Sequence, residues 1–333
     1  MTICICGGGS LGLVCAGVFA SQGVKVNILT GHPENWNNEV LVEDLNGRCY
    51  KGALNLVSGS AEAAVGNADV VLLCVPGYLI EKTLIDVRQY LKPEALVGSI
   101  VASTGFFFEA HKVLPAQTPL FGFQRVPYIA RSKEYGRLGQ LLGYKPQLNA
   151  AVENVENPEA VRRTLERLFM TPVRLLENYY EASLTNSNPI LHTGRLYSMW
   201  GKGFVPQPQC TLFYADWTDD ASEYLIAMDS EFQALLKVMG IREGVIPPLL
   251  EYYESHDAAS LTRKISSIPA FKSILAPMRQ TDAGWVPDFG SRYFTEDFPF
   301  GLSYIRELAH RHSVPCPTID LVYAWGESVM VRG

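Results

Sequence analysis

The segment from Thr185 to Arg195 carries the histidine best placed for proton transfer. Its Asn-Pro pair is typical of a helix start, with Asn188 as the N-cap and Pro189 in the first helical position. Residues three and four positions apart share one face of a helix, so Asn188, His192 and Arg195 should lie together, facing a cleft between two domains. An imidazole has an ordinary pKa of about 6.5, which suits it to proton exchange near neutral pH. We therefore predict that His192 is a general acid–base and that Asn188 belongs to the same catalytic site.

A second polar segment, residues 292–301, places charges among aromatic side chains. Asp297 stands directly before Phe-Pro-Phe, so its carboxylate is expected to be partly buried. Beside an imidazole, such a carboxylate would hold the ring in one tautomer and favour its protonated form. Asp297 equally suits a cap for a helix that begins near Pro299, and the sequence leaves both roles open.

Three arginines are candidates for binding the carboxylates of a substrate. A guanidinium binds a carboxylate through two parallel hydrogen bonds, which makes arginine the preferred residue for that purpose. Arg195 ranks first because it shares the predicted helix face, followed by Arg292 and Arg125. Each of them equally suits a solvated surface charge.

The N-terminal residues form a glycine-rich loop directly after a short apolar strand, Thr2–Cys6. Gly7, Gly9 and Gly12 match the GxGxxG pattern of dinucleotide-binding loops. Gly7 allows a tight turn, Gly9 lets the backbone approach a pyrophosphate, and Gly12 lets the next helix pack closely on the strand. The pattern alone is common, so its context decides its meaning.

A helix and a second strand follow this loop, as in a βαβ unit. The helix, about residues 11–22, would direct its first amides, including those of Ser10 and Leu11, and the positive end of its dipole at the phosphates. Gly23 is the expected C-cap, and residues 24–30 form the next strand. The succession of strand, glycine turn, helix and strand therefore predicts a site for a nicotinamide dinucleotide.

The end of the second strand bears on the choice between NAD and NADP. An NAD site usually has Asp or Glu there, whereas this strand ends in Ile-Leu-Thr-Gly-His, without an acid. Thr30 and His32 could donate hydrogen bonds to a 2′-phosphate, although no arginine stands beside them in the sequence. We expect NADP(H) to be favoured over NAD(H). The apolar run 69–76 is a further buried strand that would bring Val75 and Pro76 to the same cofactor edge.

These elements predict two domains. The first, residues 1–178, would be an α/β Rossmann-type domain with a doubly wound parallel sheet, and Pro158–Phe169 is one of its predicted helices. Beyond Asn178 the strand signals fade and helical periodicity dominates, for example over residues 219–240. The second domain, residues 179–333, is therefore predicted to be an all-α C-terminal domain.

Taken together, the glycine loop and the two polar segments resemble the opine dehydrogenases of the octopine, nopaline and norvaline type. The matching residues of the polar segments are Asn188, Pro189, His192, Glu296, Asp297, Pro299 and Gly301. The resemblance implies a helical second domain like the C-terminal domain of 6-phosphogluconate dehydrogenase. It also implies reductive condensation, in which an α-keto acid and the amino group of an amino acid or other amine form an imine that NAD(P)H reduces. His192 would exchange a proton with the substrate, and Asp297 would orient the imidazole.

Two other functions remain open. Ketopantoate and 3-hydroxyacid reductases share the order of domains but are expected to carry a catalytic lysine on the first helix of the second domain. Residues 181–200 contain no lysine, and Lys202 lies just beyond them. The third hypothesis is a non-catalytic NAD(P)-sensing protein, against which the presence of His192 and Asp297 argues.

Charge and cysteine content limit the partners. The chain has 28 Lys and Arg against 34 Asp and Glu, a net charge of −6, which does not predict nucleic-acid binding. Its 7 cysteines form no CxxC or CxxH pair, so no metal site is expected, and they suit a reducing compartment. The first charge is Lys25, so we expect neither a secretory leader nor a membrane span and place the protein in the cytoplasm. Its partners should be small-molecule substrates, and a homodimer is one assembly that the sequence allows.

Overall fold

The computed structural model describes residues 1–331, and the chain divides into two compact units, Met1–Thr185 and the part from Asn186 onward. The boundary falls later than the predicted position at residue 178, because a short helix, Tyr179–Ser183, belongs to the first unit. Its residue Ala182 is fully buried in a hydrophobic core of that unit. The predicted boundary thus differs from this division by a few residues, and the last two residues of the predicted second domain lie outside the described range.

The first unit, within Met1–Thr185, is built on a large sheet and a smaller one. The strands in chain order are β1 (Thr2–Cys6), β2 (Lys25–Leu29), β3 (Glu39–Asp44), β4 (Cys49–Ala53), β5 (Leu56–Ser58), β6 (Val70–Leu73), β7 (Leu96–Ser99), β8 (Leu120–Phe123), β9 (Tyr128–Glu134), β10 (Leu138–Tyr144), β11 (Leu148–Glu153) and β12 (Val173–Leu175). The large sheet has the order β12-β11-β8-β7-β6-β1-β2-β5, and its neighbours run parallel except β8 and β11. The predicted Rossmann-type sheet is confirmed, with one antiparallel pair added near its edge.

Six helices belong to this unit, all within residues 1–185. They are α1 (Ser10–Ala20), α2 (Ala61–Val65), α3 (Gly77–Val87), α4 (Phe106–Val113), α5 (Pro158–Phe169) and α6 (Tyr179–Ser183). The bounds predicted for α5 are confirmed. The helix begins at Pro158 because Asn157 caps its N-terminus by accepting a hydrogen bond from the amide of Ala160. Its apolar face packs Leu165, Leu168 and Phe169 into the core.

The smaller sheet explains why α1 is apolar around its whole circumference. Its strand order is β4-β3-β10-β9, and all four of these strands pack against α1. Every residue from Gly12 to Ala20 is consequently buried. The approach is close, since a Cβ atom on Gly17 would lie 2.5 Å from Cγ2 of Val42 in β3. The uncharged, apolar composition of this segment therefore reflects a helix covered on both sides.

The second unit is helical, as predicted, and adds one two-stranded hairpin. Its helices are α7 (Asn188–Trp200), α8 (Asp219–Val238), α9 (Leu249–Tyr252), α10 (Ala258–Ser267), α11 (Arg292–Thr295), α12 (Ser303–Arg311) and α13 (Pro317–Met330). A π-helical turn, Phe298–Leu302, leads into α12. The hairpin, β13 (Met278–Thr281) and β14 (Gly284–Pro287), turns at Gly284, whose φ of +120° suits a residue without a side chain. The prediction of an all-α domain missed this hairpin, because its strands are short and half polar.

Helix α7 begins one residue earlier than predicted. Ser187 is its N-cap and already has helical angles, so Asn188 is the first helical residue and not the cap. Pro189 is tolerated next because the first amides of a helix have no acceptor within it. Gly194 does not interrupt the helix. It allows α7 to pack closely on α8, since a Cβ atom added at Gly194 would lie 2.9 Å from Cδ1 of Leu225.

The start of α7 and the π-helical turn meet at a second close approach. A Cβ on Gly301 would lie 2.5 Å from Cγ and 2.9 Å from Cβ of Pro189. The proline ring is rigid and cannot move aside as the end of a long side chain can. Gly301 is therefore required for the turn that carries Asp297 to lie against the helix that carries His192.

None of the helices in residues 1–331 combines the length and the apolar character that crossing a bilayer requires.

We expect Gly301→Ala to destabilise the protein by about 1–3 kcal/mol, because it overpacks the contact with Pro189. The midpoint of urea denaturation at unchanged slope measures this. Gly290→Ala is the matched control, since a Cβ there would meet Asp288 Oδ1 at an ordinary 3.4 Å. Equal stability of the two variants would contradict the role given to Gly301.

Candidate active site

The glycine loop forms a tight turn at the carboxyl end of β1. Gly7 has a φ of +115°, and a Cβ there would lie 2.6 Å from the carbonyl oxygen of Cys74. Its amide donates a hydrogen bond of 2.9 Å to the carbonyl of Leu29. A Cβ on Gly12 would lie 2.0 Å from the carbonyl oxygen of Gly7, so helix α1 packs directly on the turn. These two positions accept only glycine, for the reasons that the sequence indicated.

The N-terminus of α1 is open. A Cβ on Gly9, the residue before the helix, would meet nothing within 4 Å. Gly9 has no side chain to cap the first amides, which leaves them and the positive end of the helix dipole for an anion. This open cradle fits a pyrophosphate. The hydroxyl of Ser10 accepts a hydrogen bond of 3.1 Å from the amide of Ser132 and so anchors the helix start to β9.

A cavity of about 920 Å³ lies at the carboxyl ends of β1, β2 and β6 within the first unit. Its walls include the predicted residues Gly7, Gly9, Thr30, His32 and Val75, and also Gly8, Gly31, Lys82, Thr83 and Tyr135. Ser10, Leu11, Gly12 and Pro76 were predicted to bind the cofactor but do not line it. Leu11 packs on the hydrophobic core, and Pro76 is the residue before α3. The volume and the glycine cradle fit a dinucleotide.

Tyr135 is a residue of this cavity that sequence reasoning missed. It stands in the turn between β9 and β10, and its hydroxyl lies 2.9 Å from Oγ1 of Thr30. Thr30 is buried, whereas the side chain of His32 is 71% exposed and its Nδ1 lies 3.4 Å from Oε1 of Glu34. No local pattern could have found Tyr135, because only the parallel pairing of β3 with β10 brings this turn to β2.

The same turn carries Arg137, a cationic side chain beside the cavity that sequence reasoning also missed. A hollow of about 570 Å³ beside the cavity is lined by His32, Glu34, Asn35, Glu134, Tyr135 and Arg137. Arg137 is exposed, and its guanidinium belongs to the hollow that His32 also borders. The cavity and the hollow thus share His32 and Tyr135.

In the second unit, both nitrogens of the His192 imidazole are engaged. Nδ1 lies 2.8 Å from Oδ2 of Asp297, and Nε2 lies 2.8 Å from the hydroxyl of Tyr214. A carboxylate accepts hydrogen bonds, so Nδ1 carries the proton in this arrangement. The side chain of Asp297 makes no cap to the turn that follows it, so the capping role left open by the sequence is wrong. His192 is 8% exposed.

Aromatic rings enclose this group. The ring centroids of Tyr293 and Phe213 lie 4.7 and 5.6 Å from that of His192. Burial raises the pKa of the Tyr214 hydroxyl well above its ordinary value, with Tyr293, Tyr253 and Asp297 acting in the same direction. Tyr214 therefore remains a neutral phenol near neutral pH. Burial, followed by the charge of Asp297, also raises the pKa of Tyr293.

The structure gives Arg195 a different role from the one predicted. It is 3% exposed, with Nε 3.2 Å from the carbonyl oxygen of Phe213 and Nη2 2.6 Å from that of Asp216. Its guanidinium also lies over the ring of Trp217, at 5.3 Å from the centroid. Burial lowers its pKa to about 10, so it stays charged near neutral pH. Arg195 fixes the loop that carries Tyr214, and its hydrogen bonds go to protein atoms.

The three other predicted residues are half-buried or exposed. Asn188 is half-buried one helical turn before His192. Arg292 is exposed in the first turn of α11, on the segment that leads to Asp297. Arg125 is exposed in the first unit, and its Nη2 donates a hydrogen bond of 2.9 Å to the carbonyl of Thr185.

Two family models match the chain, one over each half. Residues 3–123 match the model "Ketopantoate reductase PanE/ApbA". Residues 175–330 match the model "NAD/NADP octopine/nopaline dehydrogenase, alpha-helical domain". The half that carries His192 and Asp297 is thus the half that matches octopine and nopaline dehydrogenases.

Relatives and solved structures extend this likeness over nearly the whole chain. Octopine dehydrogenase of Mizuhopecten yessoensis is 28% identical over 357 residues, which cover 98% of this chain and 89% of the relative. Tauropine dehydrogenase of Arabella iricolor is 28% identical, covering 99% of this chain and 91% of the relative. The structure of octopine dehydrogenase in complex with NADH and agmatine superposes with a TM-score of 0.85 at 27% identity, covering 99% of this chain and 90% of that one. Over nearly its whole length the chain is similar to the opine dehydrogenases, and it is an NAD(P)-dependent oxidoreductase.

Proposed function

We propose that the enzyme condenses an α-keto acid with the amino group of an amino acid or other amine and reduces the resulting imine with a nicotinamide cofactor. The observation that carries this proposal is the buried imidazole of His192, held by Asp297 on Nδ1 in a chain that also has a dinucleotide cavity. Solved structures of octopine dehydrogenase, at 26% identity, contain NADH with L-arginine or with pyruvate. An amino acid and a keto acid are the two substrate classes that such a condensation joins.

The chemistry requires one proton source and one hydride source. The amine adds to the keto carbon, water leaves, and the protonated imine accepts a hydride at carbon to become a secondary amine. A nicotinamide cofactor, when bound, would supply that hydride. The His192 imidazolium supplies the proton that converts the departing hydroxyl into water, and Asp297 keeps Nδ1–H directed at its carboxylate throughout. Such proton transfer contributes about 10²–10⁴ in rate.

We assign the substrate carboxylates to Arg292 and Arg125. Arg292 supports this assignment because it is exposed and stands on the same segment as Asp297. Arg125 is exposed as well, although one of its nitrogens binds the carbonyl of Thr185. Asn188, on the face of α7 that carries His192, is the polar residue that we assign to orienting the substrate.

We also propose that NADP(H) is preferred over NAD(H). No carboxylate stands at the end of β2 itself, from Thr30 to His32, and the carboxylates of Glu34 and Glu134 line the neighbouring hollow. His32 and Arg137 add two groups that can bind a 2′-phosphate, with Arg137 supplying the permanent charge.

The buried thiols of Cys4, Cys6 and Cys15 support a reducing compartment, and we propose the cytoplasm. A homodimer stays a prediction.

We expect His192→Ala and Asp297→Asn each to lower kcat by about 10²–10⁴, because the proton donor is lost or held in the wrong tautomer. Oxidation of NADPH is followed with a panel of keto acids, each with and without added amines. His310→Ala is the control, since His310 forms a similar pair with Asp320, at 2.9 Å, but is solvent-exposed.

Two results of that assay would count against the proposal. Turnover with a keto acid alone, without any amine, would instead indicate a ketopantoate-type reductase, to which the match over residues 3–123 also points. A wild-type protein without turnover, whose cofactor binding is also unchanged by His192→Ala, would favour a non-catalytic nicotinamide sensor.

The second prediction concerns the cofactor. Arg137→Ala should lower kcat/KM for NADPH about tenfold while changing that for NADH little, because only NADPH carries the 2′-phosphate that the guanidinium would bind. Arg131→Ala, also exposed but on β9 outside the hollow, is the matched control. Equal effects of Arg137→Ala on both cofactors would contradict the assignment of Arg137.

A further inference from the structure

We infer that Tyr214 is the catalytic residue that passes the proton between His192 and the substrate. This inference rests on the proposed function and names a further member of its proton-transfer group. Neither the sequence motifs nor the two polar segments include Tyr214, which stands between α7 and α8.

The Tyr214 hydroxyl stands at the exchangeable nitrogen of the His192 imidazole. Asp297 occupies Nδ1, so Nε2 is the nitrogen through which the imidazole must exchange protons. The Tyr214 hydroxyl lies 2.8 Å from that nitrogen. In the neutral imidazole the hydroxyl donates to Nε2, and in the imidazolium Nε2–H donates to the hydroxyl oxygen. A substrate atom can reach Nε2 directly only if the hydroxyl moves away.

The ring of Tyr214 is held in place by two aromatic neighbours. One stacking partner is Phe271, at 4.5 Å between centroids, and another is Trp217, at 6.0 Å with planes 8° apart. Tyr214 is 5% exposed. Swinging the ring aside would break both stacks, which are favourable beyond the area that the ring buries. Passing a proton through the hydroxyl requires no such movement.

The loop on which Tyr214 stands is fixed by hydrogen bonds from Arg195. Arg195 binds the carbonyls of Phe213 and Asp216, which flank Tyr214 on both sides. The Asp216 carboxylate accepts a hydrogen bond of 2.8 Å from the amide of Leu212. Arg195 lies on α7, one turn after His192, so a single helix positions the imidazole and the loop that presents the phenol. Arg195 is thus a positioning residue that acts through Tyr214.

The proton balance is simple. Nε2–H of the imidazolium gives its proton to the Tyr214 oxygen as the O–H of Tyr214 gives its proton to the departing substrate hydroxyl. Two bonds to hydrogen break and two form, the imidazole becomes neutral, and Tyr214 begins and ends as a phenol. Because burial raises the pKa of Tyr214, the two transfers occur together and not through a phenolate.

The test is Tyr214→Phe, which keeps the stacked ring and removes only the hydroxyl. We expect kcat to fall about 100-fold with KM for the keto acid changed less than threefold, since the variant loses a proton transfer and not a binding contact. Tyr304→Phe is the matched control, because Tyr304 is a tyrosine of α12 in the same unit and is as buried as Tyr214. ¹⁵N NMR of the imidazole should show a shifted Nε2 signal in Tyr214→Phe but not in Tyr304→Phe.

The outcomes separate the two proposals. A wild-type enzyme that is active with a keto acid and an amine, together with Tyr214→Phe at wild-type kcat, overturns the relay and leaves the proposed function standing. A wild-type enzyme without amine-dependent turnover overturns the proposed function and the relay with it. If Tyr214→Phe does not fold, 3-fluorotyrosine at position 214 replaces it. The hydroxyl of 3-fluorotyrosine is a stronger acid than that of tyrosine, and the two side chains have nearly the same size. An altered kcat therefore supports the relay, and an unchanged kcat overturns it.

Discussion

The hydrogen bond between His192 and Asp297 is the contact on which the chemistry of the second unit depends. The two residues are 105 positions apart, so only tertiary packing can join them. The close approach of Gly301 to Pro189 provides that packing, three residues before the imidazole and four after the carboxylate. Gly301 and Pro189, one from each polar segment, therefore have a structural role. Their close contact brings the carboxylate of Asp297 to the imidazole of His192.

The surroundings of this contact follow from the energetic cost of burying polar groups. An imidazole that is 8% exposed must have partners for both nitrogens, and Asp297 and Tyr214 provide them. The guanidinium of Arg195 is even less exposed, and main-chain carbonyls with an indole face replace its hydration. A buried network of this kind is rigid because each member has few alternative partners.

Sequence reasoning succeeded where a function depends on neighbours along the chain. The glycine turn and helix α5 are local structures, and both follow from residue types a few positions apart. It failed for Tyr135 and Tyr214, because each reaches its partner only after strands or loops distant in sequence have packed. It misjudged Arg195 for another reason. The partners of that arginine are mainly backbone carbonyls, which every residue possesses, so no sequence pattern separates a buried guanidinium of this kind from one that binds substrate.

The burial of helix α1 has a consequence during synthesis of the chain. Its outer cover comes from β3, β4, β9 and β10, and the last of these ends at Tyr144. During synthesis the ribosome must therefore add well over a hundred residues beyond an uncharged, apolar helix before the strands that shield it exist. Throughout that interval the apolar surface of α1 has no partner within the chain on the side that these strands later cover.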